Sequence, residues 1–342
     1  MAFPKTIKAV VVPQHGDIEV IELIETPFPV QQPNEVLIKV NYAGVNFIDT
    51  YMRSGLYPAK SFPLHFGQEA SGTIVRLPTD PSVLSQDQFK LRGLVEGAKV
   101  IVGSVGTFAE YISVPWSRAF ALPSSISLRD GAALFIQGLT ALTFSTESHN
   151  IQSGETVLIH AIAGGLGLIF SQIAKARGAT VIGTTSSPEK AELAKKYGAD
   201  HVILYTQEDT VKRVLEITNG EGVHAVFDGV GKDTFELDFE VLRRKGSLVS
   251  LGNASGAVPP FTPFKLTPKN IKLTRPTLTN YITTPEESLQ YVQELYKLIT
   301  DGVVKINIYK DYPFSAQGVQ QAQRDITSRS TTGKLLIKVS DE

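Results

Sequence analysis

At 342 residues the chain is longer than one compact core usually supports, so two domains of roughly 100–200 residues each are the starting expectation. Apolar residues at 42%, charged residues at 20% and a formal net charge of −1 fit an ordinary globular protein with no overall electrostatic pull toward nucleic acid or an anionic membrane. The absence of cysteine excludes disulfides, thiolate zinc ligands and a catalytic thiol.

The six histidines, at positions 15, 65, 149, 160, 201 and 224, show no HExxH-type spacing, so metal catalysis is not expected. No apolar run approaches the ~20 residues that span a bilayer, and Met1–Lys8 lacks the apolar stretch of a secretory signal, so a cytoplasmic or nuclear address fits.

Up to about Leu128 the chain alternates short β-patterned segments with Gly and Pro punctuation. Lys8–Val12, Glu35–Val40 and Lys99–Val102 carry apolar side chains at period two or in short runs, which predicts a mostly-β domain. From about Glu155 the texture changes. Thr156–Ala161, Thr180–Gly183, His201–Leu204, Ala225–Asp228, Ser247–Leu251 and Ile271–Leu273 are predicted as six strands alternating with amphipathic helices, the order that gives a parallel sheet covered on both faces. The helix after the second strand has legible ends: Ser187 as cap, Pro188 at the first position, Glu192 and Lys196 four apart, and Gly198 to close it. Lys334–Val339 is predicted as a strand returning to the first domain's sheet.

The strongest local signal is Thr156–Ala179, where a buried strand runs into a glycine-bearing turn and then a helix with Leu166, Ile169, Phe170 and Ile173 at helical spacing. Gly164 and Gly167 hold the second and third glycine positions of GxGxxG, and Ile162 stands at the first. A dinucleotide diphosphate fits such a turn. Gly164 lets the backbone approach it, Gly167 lets helix and strand pack closely, and the helix start offers free amides and a positive dipole end.

An NAD site usually carries an acidic residue at the end of the second strand to hold the ribose hydroxyls. Here Gly183-Thr184-Thr185-Ser186-Ser187 stands there, with Lys190 close behind. Small hydroxyls and a lysine suit a 2′-phosphate, so NADPH is preferred over NADH. The plain alternative is that the serines only cap a helix and Lys190 is solvated.

Asn41–Pro58 (NYAGVNFIDTYMRSGLYP), Gly67–Gly72 (GQEASG), the AIAGGLG turn and Leu251–Thr284 closely resemble the zeta-crystallin-like quinone oxidoreductases, the zinc-free branch of the medium-chain dehydrogenases/reductases. The resemblance runs over essentially the whole chain. It implies an α/β fold in which a doubly wound six-stranded parallel Rossmann sheet is inserted in a mostly-β GroES-like domain. The catalytic domain would then be 1–128 plus 276–342, and the NADPH-binding domain 129–275. It also implies a cleft for nicotinamide and substrate, and a homodimer through the edge strand near Ile271–Leu273. Zinc-dependent relatives have GHE where this chain has Gly67-Gln68-Glu69, and a cysteine near the place of Asn46, so the resemblance implies a metal-free site with Glu69 as a buried structural partner.

Carried over by motif, Asn46, Tyr51 and Thr140 would lie near the nicotinamide, and Ala163, Gly164, Gly165 and Leu166 would hold the diphosphate. Gly183, Ser187, Lys190 and Tyr205 would surround the adenosine phosphate, with Val230, Leu251, Gly252, Asn253, Arg275 and Arg329 completing the ring. Plain alternatives stand beside these: Tyr51 and Tyr57 as half-buried aromatics, Arg275 and Arg329 as surface ion-pair partners, and Asn253 as a turn residue.

The implied reaction is transfer of reducing equivalents from NADPH to a quinone, such as an ortho-quinone. A quinone is already electrophilic, so no strong acid is required, and Asn46, Tyr51 and Tyr57 are expected to position the acceptor. Two rivals accompany this reading. One is reduction of activated C=C bonds in enals or enones. The other, implied by family members that bind single-stranded AU-rich RNA, is a secondary RNA-binding activity; Arg243-Arg244-Lys245 is a short basic cluster, though such a triplet is usually a solvated helix end.

Overall fold

The period-two apolar patterns near the start of the chain fold as the strands Thr6–Val12 and Glu35–Val45 in the computed structural model, which describes residues 3–342. The chain divides into two units. One holds the described residues up to Ile136 together with Ile282–Thr300 and Ile308–Glu342; the other holds Gln137–Tyr281 and Asp301–Asn307.

The first unit is β-rich. Thr6–Val12 pairs antiparallel with Glu22–Pro27 and Leu64–His65 in a three-stranded sheet. A seven-stranded sheet runs in the order Ile308–Pro313, Lys334–Lys338, Glu35–Val45, Glu69–Arg76, Lys99–Gly103 and Ala119–Ala121, with Tyr111–Pro115 also paired along Glu35–Val45. The strand near the chain's end does return here, with Leu335 beside Val45 and Ile337 beside Ala43. Val36, Ile38, Val40, Ile74, Val100, Val102 and Ile337 supply a fully buried core to which both chain ends contribute.

The second unit is α/β. Its six strands lie in the order His201–Leu204, Thr180–Thr185, Thr156–Ile159, Val223–Asp228, Leu242–Ser250 and Lys272–Thr274, every pair parallel. Counted from Thr156 along the chain this is 3-2-1-4-5-6, the Rossmann order. Register lines up Ile182, Leu158, Val226, Leu248 and Leu273 side by side, so one apolar row crosses five strands. Helices cover the sheet, as parallel strands with continuous apolar runs require.

Several element ends differ from the sequence expectation. The first strand of this sheet stops at Ile159 rather than Ala161, because Ala161 turns into the left-handed region at φ +52. The fifth begins at Leu242 rather than Ser247 and takes in Arg243-Arg244-Lys245, so that triplet lies in a strand and is not a helix end. In the helix Pro188–Lys196, Glu192 pairs with Lys195 at 2.8 Å rather than with Lys196. No helix among the described residues is long and apolar enough to cross a membrane.

Candidate active site

In the second unit the site is built on the turn between the strand Thr156–Ile159 and the helix Gly165–Ala176. Gly164 caps that helix without any side-chain hydrogen bond, so its first-turn amides have no side-chain cap. A Cβ on Gly164 would meet only the Ala161 carbonyl oxygen, at 3.2 Å, which leaves the backbone approachable. A Cβ on Gly167 would lie 2.6 Å from the Ile162 carbonyl oxygen and 2.7 Å from that of Ala161, so helix and turn touch there. These are the second and third glycine roles of a diphosphate turn.

The degenerate first position has its own explanation. Ile162 is fully buried, and a Cβ on Gly183 would fall 2.3 Å from its Cδ1. Gly183 on the neighbouring strand thus supplies the space that Ile162 fills, and the fingerprint's missing glycine reappears across the sheet.

Beneath the turn lies a group that sequence reasoning missed. His160 is buried, with Nδ1 2.9 Å from Thr184 Oγ1 and Nε2 2.9 Å from Asp238 Oδ1. Burial is the largest influence on each. It drives the Asp238 carboxyl up to about 6, and it opposes the imidazolium of His160, where the attraction and hydrogen bond of Asp238 and the attraction of Asp228 together outweigh it and the net shift is upward. Both directions favour a proton held between the two groups near neutrality. The only sequence signal was a histidine at a strand end immediately before the turn.

Around the end of the second strand, the Ser187 hydroxyl accepts from the Lys190 N–H at 3.4 Å, as a helix cap. Burial lowers the pKa of the half-buried Lys190 ammonium. Tyr205, 42% exposed, donates its N–H to the Thr185 carbonyl. At the ends of the fourth and fifth strands, Asp228 Oδ1 accepts from the Val230 N–H at 2.7 Å, and a Cβ on Gly252 would meet the Gly229 carbonyl oxygen at 2.3 Å. Leu251 and Asn253 flank that contact, half-buried. Arg275 Nη1 donates to the Ser250 carbonyl at 2.9 Å and the Gly252 carbonyl at 3.0 Å, so it braces this loop from within the same unit. Ala163, Gly164, Gly165 and Leu166 are therefore consecutive on one turn, and Gly183 packs under it. Thr140 lies on the helix Phe135–Thr143.

In the first unit the helix Phe47–Ser54 begins with a capping box, in which Asn46 and Asp49 exchange side-chain and backbone hydrogen bonds. Asn46 is buried and its amide is occupied at both ends: Oδ1 accepts from Lys334 Nζ at 2.8 Å and Nδ2 donates to Glu69 Oε1 at 2.8 Å. Lys334 Nζ also meets Glu69 Oε1 at 2.5 Å, with both side chains essentially inaccessible. Glu69 Oε2 accepts the Ile136 N–H at 2.8 Å. Burial drives the Asp49 carboxyl up to about 7, against the Asn46 hydrogen bond and the attraction of Lys334. The Tyr51 and Tyr57 rings pack against each other, tilted by 58° with 5.3 Å between centroids. Arg329 is exposed in the turn after the helix Ala316–Thr327, with φ +60.

The sequence of quinone oxidoreductase 1 from Escherichia coli is 37% identical over 327 residues, 95% of this chain and 97% of that protein. The chain belongs to the quinone oxidoreductase family. Within the superfamily of medium-chain dehydrogenases/reductases, residues 32–124 match the alcohol dehydrogenase GroES-like domain and residues 165–295 match the zinc-binding dehydrogenase domain. The crystal structure of Escherichia coli quinone oxidoreductase complexed with NADPH superposes with a TM-score of 0.90 at 37% identity, covering 97% of this chain and 99% of that one. A 2-haloacrylate reductase from Burkholderia is 31% identical over 314 residues, 89% of this chain and 91% of that protein.

The zinc named in one of those domain descriptions does not suit the residues of this quinone oxidoreductase family member. Among the described residues no group of three or more His, Cys, Asp or Glu is arranged to hold a metal. Asn46 and Gln68 bring amides rather than thiolate or imidazole ligands, and the Lys334 ammonium already pairs with Glu69. A divalent cation beside that ammonium would be repelled.

Proposed function

We propose that this chain is a metal-free, NADPH-dependent quinone reductase. The observation that carries the reading is the helix start at Gly164–Gly165, approachable at Gly164 and without a side-chain cap, followed at the second strand's end by hydroxyls and Lys190 instead of an acid. Backbone amides there suit a diphosphate, and a lysine suits a third phosphate.

Ala163, Gly164, Gly165 and Leu166 hold the diphosphate in this account. Gly183 keeps the turn close to the sheet, while Ser187, Lys190 and Tyr205 surround the adenosine phosphate. Thr140, Val230, Leu251, Gly252, Asn253, Arg275 and Arg329 complete the cofactor-binding set. Residues 129–275 serve as the NADPH-binding domain, and 1–128 with 276–342 as the catalytic domain.

When bound, NADPH supplies a hydride, which with one further proton converts a quinone to its quinol. The chain's own task is to position the acceptor and exclude side reactions. Because the Asn46 amide is engaged by Lys334 and Glu69, its part is to fix the start of the helix that carries Tyr51. The hydroxyls of Tyr51 and Tyr57 orient the acceptor, and water completes the protonation. Steady-state assays with NADPH or NADH against ortho-naphthoquinone test the reading; a preference for NADH or no turnover defeats it.

The likeness to a 2-haloacrylate reductase supports one other reading, reduction of an activated C=C bond by the same hydride. An alkenal assayed beside the quinone separates the two. A homodimer is proposed through the strand Lys272–Thr274, which pairs on one side only within this sheet, and a cytoplasmic address is proposed with it. Secondary binding of AU-rich RNA, with any nuclear role, rests on the exposed Arg244 and Lys245; salt-sensitive binding of a labelled AU-rich strand tests it.

A further inference from the structure

The turn contains a glycine that the dinucleotide fingerprint does not ask for. In the pattern occupied by Ile162 to Gly167, glycines belong at the first, third and sixth places, yet Gly165 stands at the fourth. It opens a helix, where glycine is a poor choice by propensity, and it is not among the residues with positive φ. Backbone conformation therefore does not account for it.

Packing does. A Cβ on Gly165 would fall 2.2 Å from Gln137 Oε1, 2.9 Å from its Cδ and 3.0 Å from its Nε2. The Gln137 amide thus occupies the space a Cβ on the first residue of the helix would take, and a larger residue there would turn the amide aside. Gln137 lies on the helix Phe135–Thr143, one turn before Thr140 and on the same face. Its Oε1 is buried and has no hydrogen-bond partner. An acceptor withdrawn from water and left unpaired is costly, and such atoms call for an explanation.

The nicotinamide dinucleotide of the function proposed above, on which this inference rests, carries the missing partners. Its diphosphate is an acceptor only. Its ribose hydroxyls and carboxamide amino group are donors, and a side-chain amide is one of the few groups that can serve both kinds at once. We propose that Gln137 is a further cofactor-binding residue, whose Oε1 accepts a hydrogen bond from the nicotinamide nucleotide half while its Nε2 donates to the diphosphate, with Gly165 retained to admit it.

Isothermal titration of Gln137→Leu and Gln137→Met with NADPH, and separately with adenosine 2′,5′-bisphosphate, tests this. NADPH binding weakens about tenfold in both variants, the loss of roughly one well-made hydrogen bond, whereas the bisphosphate, which lacks the nicotinamide half, binds within about twofold of wild type. Without ligand, the thermal midpoint of Gln137→Leu is unchanged or raised, because an unpaired buried acceptor has been replaced by an apolar group of similar shape. Gln137→Glu weakens NADPH binding about a hundredfold, since a carboxylate then faces the diphosphate. The inference is overturned if both apolar variants bind NADPH as wild type does. It is equally overturned if they lose stability and lose NADPH and bisphosphate binding together, which marks a purely structural residue. Failure of the wild type to bind NADPH is a separate result and removes the proposed function itself.

Discussion

Replacing Lys334 by methionine offers a severe test of the first unit's buried network. The ammonium and the Glu69 carboxylate are 1% and 0% exposed, 2.5 Å apart. Removing one partner of such a pair strands the other, at a cost of about 3–5 kcal/mol. Here Glu69 retains two donors, Asn46 Nδ2 and the Ile136 N–H, each at 2.8 Å, so the lower end, about 3 kcal/mol, is expected, with Asn46 Oδ1 losing its donor as well. In calorimetry that is a fall of roughly 6–12 °C in the melting transition of this unit. The double variant Lys334→Met with Glu69→Gln removes both charges and leaves a carbonyl oxygen to accept the Ile136 N–H and an NH2 to face a reoriented Asn46 amide, so it recovers at least half of that loss. A single variant that loses less than about 1 kcal/mol, or a double variant as unstable as the single, would show that the pair is not desolvated as described.

Three further outcomes follow from the same geometry. Gly167→Ala forces a Cβ to 2.6 Å from the Ile162 carbonyl oxygen, so NADPH affinity falls at least about a hundredfold through loss of the diphosphate turn; circular dichroism confirms folding, and unchanged titration heats would contradict the close approach. Asp49 has its folded pKa raised to about 7 from 3.8 by burial, so its contribution favours the fold at low pH and is lost as pH rises from about 4 through 7. Wild type should therefore lose about 2–3 kcal/mol relative to Asp49→Asn between pH 5 and pH 8, and a pH-independent difference in urea stability would refute the shift. Tyr51→Phe lowers quinone turnover by roughly three- to tenfold with NADPH affinity intact, short of the 10²-fold or more that loss of a general acid brings; a dead enzyme that still binds NADPH would identify a dedicated proton donor.

The six parallel strands were legible because strands buried on both faces carry unbroken apolar runs, such as Val157-Leu158-Ile159 and Ala225-Val226-Phe227. Their ends were less so. Nothing local distinguishes His160-Ala161 from strand until the chain is seen to turn at Ala161, and Arg243 to Lys245 fall within a strand only because Leu242 before them and Ser247–Ser250 after them pair with the neighbouring strand across a register shift. The turn itself was readable from Gly164 and Gly167, but its compensation was not, since Ile162 and Gly183 meet only after the two strands align. The same holds for charge. Glu69 was legible as a buried structural partner by resemblance, but its ammonium comes from Lys334, near the other end of the chain. His160 and Asp238 likewise meet only in the folded unit. Motif spacing reaches local geometry; pairs joined by tertiary packing leave no period to detect.

The central claim is that the helix start at Gly165, within AIAGGLG and without a side-chain cap, binds a phosphorylated dinucleotide. Titrating the purified chain with NADPH and, in parallel, NADH measures it most directly. The account predicts a saturable complex with one NADPH per chain, at least about tenfold tighter than the NADH complex, since the Lys190 ammonium meets a phosphate in one and a hydroxyl in the other. No saturable heat with NADPH, or equal affinity for the two, would contradict it.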